Sequence, residues 1–387
     1  MQVRRNIQNL DFMFLFFLVL LLGSSLLILS TASINVDKEN PFHYVQLQTL
    51  WISSGLILTI LLAVIDYQKW RRFSWWIYAI NLGLLLAVIF IGNESKGATR
   101  WITITSSFAI QPSEFAKIFI IITFADFLAK RERNLNRIRD FVAPFLFMLL
   151  PMLLIYKQPD LGTALVFGAI FVGMMFVAGA NPWKFGALLI VGFMLVGGAL
   201  WLHFATNLPP WLHFAQGIPL PMKEYQLKRL TIFMNPASDI AGGGWNIIQS
   251  IWAIGSGGLW GKGYRMGTQV QLNFLPEHHT DFIFSVVGEE FGFIGTVSLL
   301  FFFFIFLLRS ISIAAKSRDL YGMLIATGII SMFAFHILVN VGMTSGIMPV
   351  TGIPLPLISY GGSTMLSNML AIGFLLSINL RRQRLMF

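Results

Sequence analysis

The sequence predicts an all-α integral membrane protein of about ten transmembrane helices, with a large extracytoplasmic loop between helices seven and eight. Three observations carry that expectation. Hydrophobic residues make up 56% of the chain and charged residues only 11%, too apolar a balance for a soluble domain of this length. Apolar runs of about 18 residues or more, long enough for a helix to cross the hydrocarbon layer, recur from one end to the other. Short polar connectors rich in Lys, Arg, Gly and Pro separate them, and residues 204–281 form the one long exception.

The first apolar run, 10–29, is longer than the apolar core of a secretory signal, and no small-residue cleavage site follows it. It is therefore read as the first span. Together the apolar runs place spans near 12–33, 47–65, 73–92, 114–129, 141–156, 161–179, 184–203, 282–308, 320–344 and 363–380. The whole chain, 1–387, is read as a single transmembrane domain. An even number of spans puts both termini on one side. A majority of the 27 Lys and Arg residues then fall in the same set of connectors, Arg71, Arg72, Lys130, Arg131, Arg381 and Arg382 among them. By the positive-inside rule that side is the cytoplasm. The net charge of +10 thus reflects topology; the bilayer is the expected partner, and nucleic acid is not. With no Cys, neither a disulfide framework nor a thiolate metal site is available.

Two outer segments depart from the short connectors. Residues 93–113 carry Lys96, Arg100 and Trp101 ahead of Gln-Pro-Ser-Glu. Residues 204–281 are far longer than an ordinary connection, and loops of that length are functional or disordered. This one keeps Trp211, Trp245, Trp252 and Trp260 and a short helical pattern at 245–254, so it is expected to fold back onto the membrane surface. No tandem or inverted repeat stands out, which weighs against a symmetric rocking transporter.

The acidic residues concentrate at 273–290, Asn-Phe-Leu-Pro-Glu-His-His-Thr-Asp-Phe-Ile-Phe-Ser-Val-Val-Gly-Glu-Glu. Asp281 opens an apolar run. Alone it reads as a first-turn acid at the positive end of a helix; in the company of Glu277, His278 and His279 it reads equally as a general base for an incoming hydroxyl. Adjacent histidines point in different directions, and neither His-x-x-x-His nor His-Glu-x-x-His spacing occurs, so no protein-built metal site is expected. Glu289 and Glu290 are read as structural groups facing interior polar partners.

Glu114 and Lys117, three apart after Pro112, share one helix face at membrane depth. They are either a structural ion pair or part of a polar cavity for a phosphate-bearing headgroup. Asp160, in Gln-Pro-Asp-Leu-Gly-Thr, reads first as a helix cap. Gly255-Ser-Gly-Gly-Leu-Trp-Gly-Lys-Gly263 lacks the Walker spacing; its glycines predict a tight turn with close backbone approach, and Lys262 with Arg265 predicts attraction for an anionic headgroup. Pro349, Pro354, Pro356, Gly361 and Gly362 break the helical pattern before Ser363. Irregular backbone there requires a covering of protein or a wet cavity.

With these motifs the chain resembles the SEDS family (shape, elongation, division and sporulation), most closely its RodA-type members. The resemblance rests on Gly97-Ala98 with Arg100-Trp101, Gln111-Pro-Ser-Glu-Phe-Ala-Lys117, Gln158-Pro-Asp-Leu-Gly-Thr163, Tyr225-Gln226 to Arg229-Leu230, Asn246 to Gly258, Gly267-Thr268-Gln269, Pro276 to Phe284 and Ser359-Tyr-Gly-Gly-Ser363. One departure is His278, where the family often carries Arg.

The resemblance implies a peptidoglycan glycosyltransferase of the bacterial cytoplasmic membrane. It would polymerise lipid II during cell elongation beside a class B penicillin-binding protein and other elongation-complex membrane proteins. It implies Asp281 as the essential aspartate, Glu114 and Lys117 as a functional pair, and Arg100 and Trp101 as required positions. On that footing Asp160, Lys262, Glu277, His279, Ser359 and Ser363 complete the expected substrate site. A divalent cation, magnesium or manganese, would be held through the substrate pyrophosphate. Two rival functions remain open: a flippase or transporter of lipid-linked sugars, and a scaffold that recruits synthesis enzymes.

Overall fold

A computed structural model describes residues 9–34, 36, 39–95, 98–105, 108–131, 135–204, 224–240 and 242–382. Lys96, Trp211 and most of the first part of the long loop lie outside the described residues. Ten helices occupy the ten segments read as spans. They are α1 (Phe12–Ala32), α2 (His43–Val64), α3 (Ser74–Ile91), α4 (Pro112–Ala129), α5 (Val142–Lys157), α6 (Leu161–Val177) and α7 (Pro182–Phe204). Among the described residues of the long loop are α8 (Glu224–Met234) and α9 (Gly243–Ser256), and after it come α10 (Ile283–Ala315), α11 (Leu320–Thr344) and α12 (Gly362–Leu380). Eight of the spans are long and apolar enough to cross a membrane. Of the remaining two, α6 has 17 residues, and α4 carries Glu114, Lys117 and Asp126.

The helices are apolar around most of their circumference, as expected where both lipid and protein cover them. α11 is the hub, packing against α4, α6, α9, α10 and α12, while α12 lies along α2. α7 is the opposite case, with Phe185 its only buried residue.

α10 runs seven residues beyond the predicted end at 308. The apolar run stops in the sequence at Arg309, but the Arg309 guanidinium grips the Asp11 carboxylate (Nε to Oδ2 3.0 Å). Asp11 also caps α1 by accepting from Phe14 N at 3.1 Å. The paired charge allows the helix to continue, with Ser310, Ile313 and Ala314 buried.

An unpredicted element is a small antiparallel sheet between α3 and α4, in the order β1 (Asn93–Ser95), β2 (Ala98–Thr105), β3 (Phe108–Ile110). Its signal lies in Thr-Arg-Trp-Ile-Thr-Ile-Thr, a run of β-branched and aromatic residues with strand preference. Trp101 pairs with Asn93 and Ile102 with Ile110.

Two irregular stretches are held by hydrogen bonds from neighbouring segments. α10 breaks at Gly292, whose φ of 63° and ψ of −160° are not helical. The Gly-rich turn after α9 replaces the missing helical bonds. Gly258 O accepts from Phe293 N (2.8 Å) and Leu259 O from Ile294 N (3.1 Å), while Glu289 O and Glu290 O accept from Lys262 N and Gly263 N (3.0 Å each). A Cβ at Gly261 would overlap the Glu290 carbonyl, and one at Gly257 the Gly288 carbonyl. The close approach predicted for this motif is therefore made to α10.

The proline-rich loop before α12 is enclosed, with Ile353, Leu355, Leu357 and Ile358 all buried. Four of its carbonyls accept from side chains of four different helices: Thr351 O from Arg229 (2.9 Å), Ile353 O from Asn340 (2.8 Å), Ile358 O from Ser25 (2.9 Å) and Ser359 O from Gln48 (3.2 Å). Protein cover of this kind is what non-helical backbone at this depth requires.

Candidate functional site

Where β2, the N-termini of α4 and α6, α8 and the loops before α10 and α12 converge, they enclose a cavity of about 960 Å³. Asp281, Glu277 and His279 line it together with Glu114, Lys117 and Ser363 and with Arg100, Trp101 and Asp160. Residues far apart in the sequence are thus brought to one chamber.

The N-cap of α10 is Phe282 and its first turn holds no acidic residue, so Asp281 stands one residue ahead of the helix. Glu277 holds a left-handed backbone (φ 53°), and its carbonyl accepts from Thr280 N and Phe282 N at 3.2 Å each. This tight turn holds Asp281 at the cavity wall. Beside it, a Cβ placed on Gly352 (φ +75°) would stand 3.4 Å from Asp281 Oδ2. The neighbouring histidines diverge: His279 packs its ring on Tyr44, 5.1 Å between centroids. His278 is buried instead, with Nδ1 2.6 Å from the Leu275 carbonyl, and burial pulls its pKa down.

Asp160 caps α6, accepting from Thr163 N (3.2 Å) and Thr163 Oγ1 (2.8 Å). It also faces Arg100, 3.9 Å from Nη1, while Arg100 Nη2 donates to the Pro159 carbonyl. Asp160 thus caps α6 and stands beside the Arg100 charge at the same time. Lys117 Nζ lies 2.8 Å from Glu114 Oε1 and 3.3 Å from His336 Nε2. Glu114 Oε2 and His336 Nδ1 are enclosed and find no partner among the described residues. Enclosed polar atoms of this kind suit a polar ligand. Ser363 Oγ accepts from Gln111 N at 3.1 Å and so supplies the start of α4.

Two expected site residues lie elsewhere. Lys262 does not line the cavity; its ammonium pairs with Glu289 Oε1 at 2.6 Å and donates to Thr268 Oγ1 at 2.7 Å. Glu289 is fully buried and also accepts from Gln269 N at 2.9 Å, so burial of that carboxylate claims Lys262. Ser359 is likewise outside the lining, its hydroxyl donating to Thr280 O at 2.6 Å and accepting from Leu355 N at 2.8 Å.

Among the further residues that line the chamber are Arg229, Tyr225 and His336. Arg229 sits in the fields of Asp281 and Asp160; burial, then the nearby Arg100 charge, pulls its pKa down. Tyr225 is pushed up by burial. The Tyr225 to Arg229 motif and an ionisable His336 within a span were signals that could have marked them. Among the described residues no three His, Asp or Glu side chains converge to hold a metal ion, and the chamber's carboxylates Glu114 and Asp160 engage their own partners. Chemically, the chamber joins a carboxylate to several cations around a space open to an anionic headgroup.

Comparison with known proteins points the same way. The family described as cell cycle protein, FTSW_RODA_SPOVE, matches residues 10–384. Peptidoglycan glycosyltransferase RodA of Treponema pallidum is 35% identical, covering 98% of this chain and 99% of its own. Peptidoglycan glycosyltransferase MrdB of Escherichia coli K12 is 36% identical over 86% of this chain and 85% of its own. Among solved structures, one of a peptidoglycan synthase complex that coordinates polymerization and crosslinking superposes with a TM-score of 0.77 at 29% identity, covering 95% of this chain and 97% of the other. The rod shape determining protein RodA of Thermus thermophilus gives 0.67 at 26% identity, with coverage of 97% and 98%.

Proposed function

This chain belongs to the FtsW/RodA/SpoVE family of cell cycle proteins and is a peptidoglycan glycosyltransferase, and we propose that it polymerises lipid II for cell elongation with Asp281 as the general base. The observation that carries the reading is the placement of Asp281 in one chamber with Lys117, Arg100 and Arg229.

Glycosidic bond formation from a lipid-pyrophosphate sugar needs a base for the acceptor hydroxyl and positive charge for the departing pyrophosphate. Asp281 takes the proton of the GlcNAc 4-hydroxyl of one lipid II as its oxygen bonds to the anomeric carbon of the other. The bond from that carbon to pyrophosphate breaks, and the configuration inverts. Lys117, Arg100 and Arg229 receive the pyrophosphate charge; Arg229 takes the place that sequence reasoning had assigned to Lys262. A divalent cation, magnesium or manganese, would enter on the substrate phosphates.

A class B penicillin-binding protein is the proposed partner, supported by the likeness to a complex that coordinates polymerization and crosslinking. Other elongation-complex membrane proteins would assemble around the pair. The proposed setting is the cytoplasmic membrane with both termini inside, on the distribution of Lys and Arg.

The test is to supply lipid II to the purified chain, with and without its partner. Glycan polymer from the wild type, and none from a membrane-inserted Asp281→Asn variant, is expected. Full polymerisation by that variant would remove the base assignment. Movement of labelled lipid across vesicles without polymer would favour the rival function of a flippase for lipid-linked sugars.

A further inference from the structure

Three consecutive backbone carbonyls lead into the proposed base, and each accepts from a different donor. His279 O accepts from Tyr360 N at 3.1 Å, Thr280 O from Ser359 Oγ at 2.6 Å, and Asp281 O from Asn340 Nδ2 at 2.8 Å. Two of the donors also hold the proline-rich loop: Asn340 Nδ2 donates to Ile353 O at 2.8 Å, and Ser359 Oγ accepts from Leu355 N at 2.8 Å. Asn340 and Ser359 are both buried, at 0% and 4% exposure. Two carbonyl partners require a donor, which settles the orientation of the Asn340 amide. The result is a ladder between residues 279–281 and the stretch 352–360, with Gly352 against the Asp281 carboxylate.

We propose that Asn340 and Ser359 are positioning residues for the glycosyl transfer, holding the backbone of His279-Thr280-Asp281 so that the Asp281 carboxylate meets the acceptor hydroxyl. The proposal rests on the reading of Asp281 as the base. Neither side chain touches the substrate space. The buried Asn340 amide in α11 serves the two carbonyls it joins. Ser359, expected from the sequence to bind substrate, acts through Thr280 instead. Loss of either donor frees the segment to shift, and a displacement of about 1 Å at a reacting group can cost on the order of 100-fold in rate.

The test uses the full chain purified in detergent, with lipid II as substrate and polymer length and rate as readouts. Asn340→Leu and Ser359→Ala are expected to lower kcat by about 10- to 100-fold while KM stays within about twofold of wild type, because the binding cations remain in place. Ser359→Thr keeps the hydroxyl and is expected to recover kcat. A loss confined to KM, or a kcat unchanged in both variants, overturns the proposal, as does a Ser359→Thr variant no more active than Ser359→Ala. If Asn340→Leu does not purify, the Ser359 pair decides alone. Asp281→Asn is run in parallel. If it stays active, the base assignment itself has failed. If it is inactive while the Asn340 and Ser359 variants keep full kcat, only the positioning proposal has failed.

Discussion

Lys117 Nζ lies 2.8 Å from Glu114 Oε1 with both side chains almost wholly enclosed, and His336 stands 3.3 Å beyond. Removing one member of such a pair leaves the other charge buried without compensation, at a cost of about 3–5 kcal/mol, whereas removing both is far milder. Glu114→Gln and Lys117→Met are each predicted to lower the thermal midpoint in detergent markedly. The double variant is predicted to regain most of that stability and none of the polymerisation. A double variant that polymerises lipid II at the wild-type rate would reduce the pair to a structural one.

Arg229 joins two parts of the site by donating to Thr351 O at 2.9 Å while lining the same chamber as Asp281. A hydrogen bond to a charged group contributes about 1.5–3 kcal/mol. Arg229→Ala is therefore predicted to lower kcat/KM by about 10- to 100-fold, with Arg229→Lys retaining part of it. Steady-state kinetics on lipid II check this, and unaltered kinetics for Arg229→Ala would exclude Arg229 from the anion site.

Lys262 gives the converse prediction. Its ammonium neutralises the buried Glu289, so Lys262→Ala should lower stability by up to about 3–5 kcal/mol and leave KM for lipid II unchanged. A raised KM with unchanged thermal midpoint would restore Lys262 to the substrate site.

His278 predicts a pH dependence of stability. Burial holds its pKa below the ordinary value of 6.5, so the folded chain refuses a proton that the unfolded chain accepts. Its contribution is fully present above about pH 6.5 and is lost as pH falls from there through the lowered folded value, with a slope of at most about 1.4 kcal/mol per pH unit. His278→Asn should flatten that part of the curve. Thermal midpoints of both proteins between pH 7.5 and 5.5 measure the difference, and parallel curves would count against it.

Much of the site was legible because its residues stand out locally. Asp281, Glu114, Lys117, Asp160 and Arg100 are polar groups at the edges of apolar runs, where ionisable side chains are costly without a use, and family motifs surround them. Arg229 was harder to single out in an amphipathic segment with other basic residues. His336 lies in a long apolar run whose only partner of interest, Lys117, is 219 residues away.

The sequence by itself determined the apolar helices and their approximate ends, because hydropathy over one turn after another is a local property. It also marked the stretch that carries Asp281 and the glycines that need close backbone approach. Tertiary structure alone decided which charges neutralise which. Lys262 goes to Glu289, leaving the chamber to Arg229, and Arg309 goes to Asp11, letting α10 run on. It also turned the Ser359 hydroxyl onto the Thr280 carbonyl. Each of these is a contact between segments distant along the chain, and a buried donor or charge takes whichever partner the packing brings within hydrogen-bonding distance.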